Sequence, residues 1–522
     1  MGPAMGKPNP VINENLNIGG RVLFVVADNY QNDNVFPLGP GYLAACLRMA
    51  NVDVETYCMD ALHQSLDELE LYLKDNTYDL VCLGFMAPRF KRGVQATCRV
   101  IKQFKNPDAW FVLGGYGPSP IPDYMLKETG AHIVAIGEGE ETLLEIMMAK
   151  RGLGKSLKEI QSIAYRDGDK TVVNDRRGTI KYLNELPHPA WDLFPMEEYT
   201  TCLKFAGMDV KEKAFPLIST RGCTDKCSFC FRLDKGIRSR GADTVVAEMK
   251  ALNEKYGVTY FYFCDELAIV SRKQIFQLTD FIKRELPPIK FRMDCRVTLF
   301  DDEIAVALKE AGASFLNIGF ESSSQKVLDQ MNKRATVEQN IEAAETARRH
   351  NIGIGINMIW GMPGDDLDTL RNNAEFIKRF NMYDQIRTIR PVTPYPGSPL
   401  YYQAIEEGQL TGPEDFFEKF TNSDLYLCNF TGIPEEDIYQ ALYEVNKDLV
   451  YDHFSNTSKD FAAADALLER FYDLYFNGVT DFSGPRHQTA KDHAHVIRPD
   501  AGVTMGVWDG IDLGEDNQYS GM

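Results

Sequence analysis

The stretch STRGCTDKCSFCF, residues 219–231, holds three cysteines in the spacing C-x3-C-x2-C. It follows an apolar run that predicts a strand, so Cys223, Cys227 and Cys230 are expected on one loop. A structural zinc site needs four ligands, and neither a fourth cysteine nor a histidine follows within thirty residues. A cubane held by three thiolates keeps one iron free, so the spacing favours an iron–sulfur cluster. Zinc and a chance grouping of buried cysteines are the alternatives.

The cysteine loop belongs to a series of alternating strands and helices that reaches residue 402. The predicted strands are PLIST, YFYFCDE, FRMDCRV, FLNIGFES, GIGINMIWGMP and QIRTIRPVTPYPGSPL. Helices are expected at 242–256, 273–285, 302–311, 337–350 and 367–380. Six such units over residues 215–402 predict a partial (β/α)6 barrel of the TIM type, with its chemistry at the carboxyl ends of the strands.

A second α/β series precedes the loop, over residues 21–150. Its predicted strands are RVLFVVAD, VDVETYCM, YDLVCLGFM, WFVLGG and HIVAIGEG. Five strands with intervening helices predict a Rossmann-like, doubly wound domain, which binds ligands at the carboxyl ends of its strands. The fold class is therefore α/β, with two successive domains.

Three further segments flank these domains. Residues 1–20 are expected to be a flexible N-terminus, and residues 151–214 a linker in which KTVVNDRRGTIKYL resembles a β-hairpin. Residues 403–522 predict a mostly helical C-terminal region that shapes the substrate pocket and ends in an irregular tail with His487, His493 and His495. Its aromatic side chains are expected to pack between helices, with an apolar binding site as the alternative: Phe416, Phe417, Phe420, Tyr426, Tyr439, Tyr443, Tyr451 and Phe454.

Composition and charge restrict the partners. The chain has 522 residues and a net charge of −19, which opposes binding to nucleic acid or to an anionic membrane surface. Its apolar runs are shorter than the ~20 residues of a membrane span, and its polar N-terminus lacks the apolar core of a secretory signal. A cytoplasmic location is expected. Eleven cysteines are too few for a disulfide scaffold in a chain of this length.

The cysteine loop resembles the signature of the radical S-adenosylmethionine superfamily, in which an aromatic residue, here Phe229, precedes the last cysteine. The resemblance implies a 4Fe–4S cluster whose open iron chelates the amino and carboxylate groups of S-adenosylmethionine. The reduced cluster of that family cleaves the sulfonium to give a 5′-deoxyadenosyl radical. The resemblance also implies an external electron donor such as flavodoxin or ferredoxin.

The ends of the later barrel strands resemble the cofactor contacts of the same superfamily. Their motifs are CDE, CRV, FES, GMPGD at 361–365 and TPYPGSPLY at 393–401. A solvated strand end or a helix N-cap is the ordinary role of each acidic residue taken singly. The implied S-adenosylmethionine contacts are Phe229 on the cysteine loop, Asp265 and Glu266 with the ammonium, Arg296 with the carboxylate, Glu321 and Ser322 with the amino acid or ribose, and Pro394 and Tyr395 beside the adenine and sulfonium.

The N-terminal domain resembles that of the cobalamin-binding subgroup through PLGPGYLAACLR at 37–48, GGYGPSP at 114–120 and GEGEET at 137–142. Glycines at strand ends allow a large planar ring to approach the backbone. The implied cobalamin contacts are Pro37, Leu38, Gly39, Gly84, Gly114, Gly115, Tyr116, Gly117, Gly137, Glu138 and Gly139.

The D-x-H-x-x-G motif that supplies a histidine to cobalt in other cobalamin proteins is missing, and the domain contains only His63 and His132. Cobalamin is therefore expected without protein histidine ligation, with the PLG or GYGP segment near its lower face. A degenerate domain that holds no corrin is the alternative.

The resemblance implies a cobalamin-dependent radical enzyme that methylates an unactivated carbon of a small-molecule or lipid-like substrate. The alternatives are an oxidative or ring-forming cyclase of the same architecture, a radical enzyme with a vestigial corrin domain, and a non-catalytic protein that only binds the cluster. A methylthiotransferase acting on RNA is disfavoured, because the N-terminal domain has no second three-cysteine set and the charge is acidic.

Replacing Cys223, Cys227 or Cys230 by alanine is expected to abolish both the cluster absorbance near ~400 nm and the formation of 5′-deoxyadenosine. Corrin binding should persist, because its predicted contacts lie in the other domain. Absorbance spectra and chromatography of the reaction products measure both properties. A variant that lost corrin and kept its cluster would contradict the assignment.

Overall fold

The computed structural model describes residues 16–28, 34–205, 208–209 and 211–479. The chain divides into two compact units. The first contains residues 36–198, the N-terminal residues up to 31 and residues 232–240, and the second contains the remainder of the chain.

The first unit is built on a seven-stranded sheet in the order β2-β1-β3-β4-β5-β6-β7. The strands are β1 (Arg21–Val26), β2 (Asp53–Cys58), β3 (Leu80–Gly84), β4 (Trp110–Gly114), β5 (Ile133–Ala135), β6 (Ile163–Asp167) and β7 (Lys170–Val173). Strands β1 to β5 are parallel; the apolar sequences of β1, β3, β4 and β5 are largely buried, whereas the edge strand β2 is only partly buried. This order confirms the doubly wound domain and places the carboxyl ends of β1, β3 and β4 at one edge.

Helices cover this sheet. The helix that begins at Leu66 starts with a capping box between Ser65 and Glu68, which satisfies backbone N–H groups of its first turn. The helices are α1 (Leu38–Met49), α2 (Met59–Leu62), α3 (Leu66–Asp75), α4 (Gln95–Phe104), α5 (Pro122–Thr129) and α6 (Glu140–Lys150).

The predicted hairpin lies elsewhere than expected. KTVVNDRRGTIKYL supplies only β7, and its antiparallel partner is the upstream strand β6. The turn is formed at Gly168 and Asp169, because the glycine adopts a left-handed φ of +62° that favours a tight reversal. Strand β6 also pairs with β5, so part of the expected linker extends the first sheet.

The second unit contains a six-stranded sheet in the order β8-β11-β12-β13-β14-β15, with parallel neighbours throughout. Its strands are β8 (Lys213–Leu217), β11 (Val258–Phe263), β12 (Lys290–Cys295), β13 (Ala313–Glu321), β14 (Gly353–Trp360) and β15 (Arg390–Pro391). Two short strands, β9 (Thr220–Cys223) and β10 (Gly236–Ser239), lie between β8 and β11 in the chain, and β10 belongs to the first unit. The six-stranded parallel sheet confirms the partial barrel.

Helices connect the barrel strands close to the predicted positions. Asp301, Thr336 and Asp366 cap the helices that follow them, by accepting a backbone N–H in the first turn. The helices of this part of the chain are α7 (Met196–Thr201), α8 (Ala242–Tyr256), α9 (Arg272–Glu285), α10 (Asp302–Ala311), α11 (Gln325–Gln330), α12 (Val337–Arg349) and α13 (Leu367–Phe380).

The sixth strand is much shorter than its sequence predicted. Only Arg390 and Pro391 pair with β14, although the predicted segment ran from 385 to 400. Prolines at 391, 394 and 396 remove the backbone N–H groups that a longer strand needs. The segment after β15 therefore runs as a loop over the carboxyl end of the sheet.

The C-terminal region is helical up to residue 476, with α14 (Pro399–Glu406), α15 (Pro413–Lys419), α16 (Glu435–Asn456) and α17 (Phe461–Phe476). Phe416, Phe417 and Phe420 are buried and pack on one another. The tail with His487, His493 and His495 lies outside the described residues. Among the described helices, none has the length and apolar character needed to span a bilayer.

Candidate active site and cofactor-binding edges

The three cysteines lie on the loop that leaves β8. Cys223 ends β9, Cys227 is partly exposed and Cys230 is exposed. No three His, Cys, Asp or Glu side chains of the described residues converge tightly enough to bind a single metal ion. A cubane does not require such convergence, because each thiolate binds a different iron. The thiol set therefore fits a cluster with three protein ligands.

Asp265 fixes the start of this loop. Its carboxylate accepts hydrogen bonds from the backbone N–H groups of Ser219, at 2.8 Å, and Thr220, and from both of their hydroxyl groups. The residue is only 4% exposed, and burial raises the pKa of its carboxyl to about 6, against the lowering effect of these donors. Asp265 was predicted to contact the cofactor ammonium; its oxygen atoms are already engaged by the cysteine loop.

The far side of the loop is held by the segment Met331–Lys333. The Ser228 N–H donates to the Met331 carbonyl at 2.9 Å, and the side-chain amide of Asn332 donates to the Lys226 carbonyl at 3.0 Å. Phe229 packs against an apolar cluster that includes Leu328 and Met331. Phe229 therefore anchors the loop from within the cysteine motif.

Arg296 forms an ion pair with Asp225, the middle one of the three residues between the first two cysteines, and donates to the Lys333 carbonyl. The Asp225 N–H approaches the Cys223 sulfur at 3.5 Å. Burial lowers the pKa of Arg296. Arg296 was predicted to meet the cofactor carboxylate, and its guanidinium lies beside the cysteine loop, next to an existing carboxylate.

Glu321 lies at the end of β13 in an unusual backbone conformation. The pairing of β13 with β14 shifts register between Gly319 and Glu321, and Glu321 has a φ of +65°. This bulge turns the carboxylate toward Lys333, whose ammonium lies 2.6 Å away. The two residues are 8% and 5% exposed.

The remaining predicted contacts are distributed over the strand ends. Glu266 is exposed, and Ser322 is buried and accepts the Ser324 N–H. Pro394 is buried, and Tyr395 packs its ring near Phe420, with the centroids 5.8 Å apart. These contacts with S-adenosylmethionine stay predictions.

Burial also affects the thiol of Cys227, raising its pKa to about 11. The Lys333 ammonium opposes this rise, and the Glu321 carboxylate adds to it. Metal binding requires the thiolate, so cluster assembly must displace a proton from this residue. The positive charge of Lys333 favours that loss.

Sequence reasoning missed a second carboxylate clamp at Asp365. Its side chain accepts the N–H groups of Gly361 and Met362, at 3.0 and 2.9 Å, and the Thr369 hydroxyl. Burial raises the pKa of its carboxyl to about 6. The GMPGD motif predicted a loop at this strand end, but it did not indicate that Asp365 accepts hydrogen bonds from the backbone of that loop.

The interior of the barrel is polar, which no strand pattern had indicated. Arg292 is fully buried between the rings of Phe205, Tyr262 and Phe315, at 4.8 to 5.1 Å. The Tyr262 hydroxyl donates to Asp294 at 2.9 Å. TIM-type barrels usually fill this space with branched apolar side chains.

The same polar layer continues on β13, on β14 and on the segment before β15. Asn357 donates to Asn317 at 2.9 Å, and Arg387 donates to Gln385 at 2.6 Å. A Cβ at Gly355 would lie 2.3 Å from the Asn317 oxygen, so a glycine is needed to leave room for this network. Buried polar groups are costly unless they are hydrogen-bonded, and these are.

In the first unit, the predicted cobalamin glycines fall into two groups. Gly39, Gly84 and Gly114 lack close neighbours: a Cβ would meet nothing within 4 Å at Gly39, and nothing nearer than 3.5 Å at the other two. Gly84 and Gly114 are paired neighbours at the ends of β3 and β4. These three positions form an open edge that fits the approach of a large planar ring.

The other glycines are required by contacts within the protein. A Cβ at Gly117 would lie 2.6 Å from the Phe85 ring, and one at Gly137 would lie 2.7 Å from Arg176. Gly115 and Gly137 also have φ values of +91° and +92°. Gly139 faces Leu43, and Pro37, Leu38 and Tyr116 are partly exposed beside these turns.

Glu138 has a structural partner. Arg238 donates to both of its carboxylate oxygens at 2.8 Å, and the Ile180 N–H donates to one of them at 2.7 Å. Arg238 lies in the segment 232–240, which belongs to the first unit and directly follows the cysteine loop in the chain. The GEGE motif therefore binds this segment.

A histidine and an aspartate meet beside the end of β1. The Nδ1 atom of His63 lies 3.1 Å from Asp28, and this hydrogen bond raises the pKa of His63. Metal-ligating histidines often have such a carboxylate partner. His132 instead accepts the Phe111 N–H at 3.0 Å, which gives it a structural role.

Family models match both domains. The model of the radical SAM superfamily matches residues 217–377, and the model of the B12 binding domain matches residues 25–147. The two matches lie within the predicted barrel and the predicted doubly wound domain.

Two curated relatives cover most of the chain. An uncharacterized methyltransferase of Pyrococcus horikoshii is 28% identical over 80% of this chain and 90% of its own length. The anaerobic magnesium-protoporphyrin IX monomethyl ester cyclase of Rubrivivax gelatinosus is 27% identical over 77% of this chain and 72% of its own.

A solved structure has the same fold. The radical S-adenosylmethionine methyltransferase TsrM of Kitasatospora setae, determined with cobalamin and a 4Fe–4S cluster bound, superposes with a TM-score of 0.60. It is 20% identical, and the match covers 74% of this chain and 75% of TsrM.

Asp265→Ala should destabilise the cysteine loop, because it strands two buried backbone N–H groups at roughly 1–3 kcal/mol each. The iron content after anaerobic reconstitution should fall. Asp265→Asn is the matched control: it keeps one acceptor oxygen for those N–H groups, and should retain most of the iron. Equal iron in the alanine variant and the wild type would contradict the clamp.

A comparison of the wild type with Asp265→Asn tests the titration of Asp265. Its pKa is raised from 3.8 to about 6 in the folded chain. Between these values the folded state binds a proton that the unfolded state has lost, so stability falls as pH rises and levels off above about pH 6. The difference in unfolding temperature between the wild type and Asp265→Asn, measured across this range, should show that slope.

His63→Ala should leave the absorbance and electron paramagnetic resonance spectra of the bound corrin unchanged, because no protein histidine is expected to bind cobalt. Asp28→Asn, which changes the hydrogen-bond partner of His63, is the matched variant and should also leave both spectra unchanged. A change of the cobalt spectrum in His63→Ala, with loss of nitrogen hyperfine splitting, would identify His63 as a ligand.

Proposed function

The chain belongs to the radical S-adenosylmethionine superfamily, in the subgroup that carries a B12-binding domain, and it is a radical enzyme; from this premise we propose that it methylates an unactivated carbon of a small-molecule substrate. The single observation behind the proposal is the pairing, in one chain, of a clamped three-thiol loop with an open glycine edge on a B12-binding domain. When bound, the cluster would supply the radical and the corrin the methyl group.

The chain's own residues position these groups. Cys223, Cys227 and Cys230 would bind three irons, and the clamp of Asp265 would keep their loop from relaxing. Arg296, next to the loop, would attract the carboxylate of S-adenosylmethionine. Preorganised side chains of this kind reduce the reorganisation that a reaction must otherwise accomplish.

The substrate is proposed to carry polar groups. The barrel interior presents Asp294, Asn317 and Asn357, which offer hydrogen-bond acceptors and donors. These groups already bond to Tyr262 and to each other, and a polar substrate would add hydrogen bonds to their remaining donor and acceptor sites, which a hydrocarbon cannot do. This favours a polar small molecule over a lipid-like one.

Methyl transfer is favoured by the methyltransferase of Pyrococcus horikoshii, which matches over 90% of its length. Oxidative ring formation is the second candidate, because the cyclase of Rubrivivax gelatinosus is similar at 27% identity. In both cases we propose an external electron donor of the flavodoxin or ferredoxin class, and cobalamin without a histidine ligand.

Product analysis separates the two reactions. A methyltransferase should add about 14 daltons per methyl group and form both 5′-deoxyadenosine and S-adenosylhomocysteine. Mass spectrometry with S-adenosylmethionine deuterated in its methyl group measures the transfer. A product that gained no label while the corrin stayed bound would support ring formation instead, and 5′-deoxyadenosine formation without bound corrin would support a vestigial domain.

A further inference from the structure

Lys333 lies in the segment that supports the cysteine loop. Its carbonyl accepts a hydrogen bond from Arg296, and the two preceding residues are hydrogen-bonded to Ser228 and Lys226 of the loop. These contacts fix the backbone of Lys333 next to the cysteines. The Cα position of Lys333, from which its side chain extends, is therefore fixed.

The side chain is as well fixed as the backbone. The Nζ atom of Lys333 lies 2.6 Å from Glu321, and both side chains are buried. Gly319 is required for this arrangement, since a Cβ there would lie 2.5 Å from the Glu321 oxygen and 2.8 Å from the Lys333 nitrogen. Gly319, the bulge before Glu321 and the Lys333–Glu321 ion pair thus depend on one another at the end of β13.

Stability does not account for such a pair. The desolvation of two buried charges often exceeds their mutual attraction, and well-packed apolar residues would serve as well or better. Within the second unit, the ion pair of Lys333 and Glu321 lies beside the cysteine loop, because the segment 331–333 is hydrogen-bonded to Lys226 and Ser228 on either side of Cys227. Their placement beside the cluster ligands indicates an electrostatic role.

We propose that Lys333 and Glu321 are positioning residues that set the reduction potential of the cluster, with opposite effects. The inference rests on the proposed function, because it requires the cluster to bind at the three cysteines. One electron from the external donor makes the cluster more negative by one charge. The buried ammonium stabilises that added charge, and the carboxylate opposes it.

The test compares Lys333→Met, Glu321→Gln and the double variant in the full-length protein, reconstituted anaerobically and studied without S-adenosylmethionine. A redox titration with dithionite, followed by electron paramagnetic resonance, gives the midpoint potential. Lys333→Met should shift it to a lower value and Glu321→Gln to a higher one. The double variant should return toward the wild type, because both charges are removed.

Lys226→Met is the matched control. Lys226 lies between two cysteines but is exposed, so water and salt screen its charge and its potential shift should be much smaller. Shifts in the same direction for the two single variants, or unchanged potentials, would overturn the inference and leave a purely structural pair. If Lys333→Met fails to assemble a cluster, the midpoint potential of Glu321→Gln still tests the inference: a higher value supports it, and an unchanged or lower value overturns it.

The outcomes also distinguish this inference from the proposed function. A wild-type protein that assembles no cluster would overturn the proposed cluster site and the inference with it. A wild-type cluster with normal 5′-deoxyadenosine formation, and potentials insensitive to both charges, would overturn the inference alone.

Discussion

A cluster with three protein ligands depends on a loop that cannot rearrange, because the open iron must stay open. The carboxylate of Asp265 supplies that constraint by binding the two backbone N–H groups where the loop leaves β8. Burial makes the clamp strong and selective, since the same donors in water would exchange with solvent. Two further contacts hold the loop beyond this clamp. Arg296 pairs with Asp225, and the Met331 carbonyl accepts the Ser228 N–H.

Local patterns predicted the architecture well. The helices at 242–256, 302–311 and 367–380 were placed to the residue, because an amphipathic period or an N-cap defines each of them. The strand near 390 was overestimated, since the cost of its prolines in a sheet outweighs its apolar character. The hairpin lies upstream of its predicted position because its turn residues, Gly168 and Asp169, come just before the segment KTVVNDRRGTIKYL.

The candidate site was predicted less completely, because its acidic residues have distant partners. Glu138 meets Arg238 across 100 residues of sequence, and Asp265 meets Ser219 across 46. No local sequence pattern reveals such pairs. In the sequence, a carboxylate at a strand end that binds a cofactor therefore cannot be distinguished from one that accepts hydrogen bonds from a loop. The polar interior around Arg292 was missed for the same reason: its aromatic neighbours come from separate strands and from the segment before β8.

We propose that the cysteine loop leaves one iron of the cluster open to S-adenosylmethionine. Electron–nuclear double resonance of the reduced, reconstituted protein, with S-adenosylmethionine isotopically labelled in its carboxylate and amino groups, measures that contact most directly. Hyperfine coupling from both labels to the cluster is expected, and it should be lost in a variant without a cluster. An intact cluster that shows no coupling to either label would contradict it.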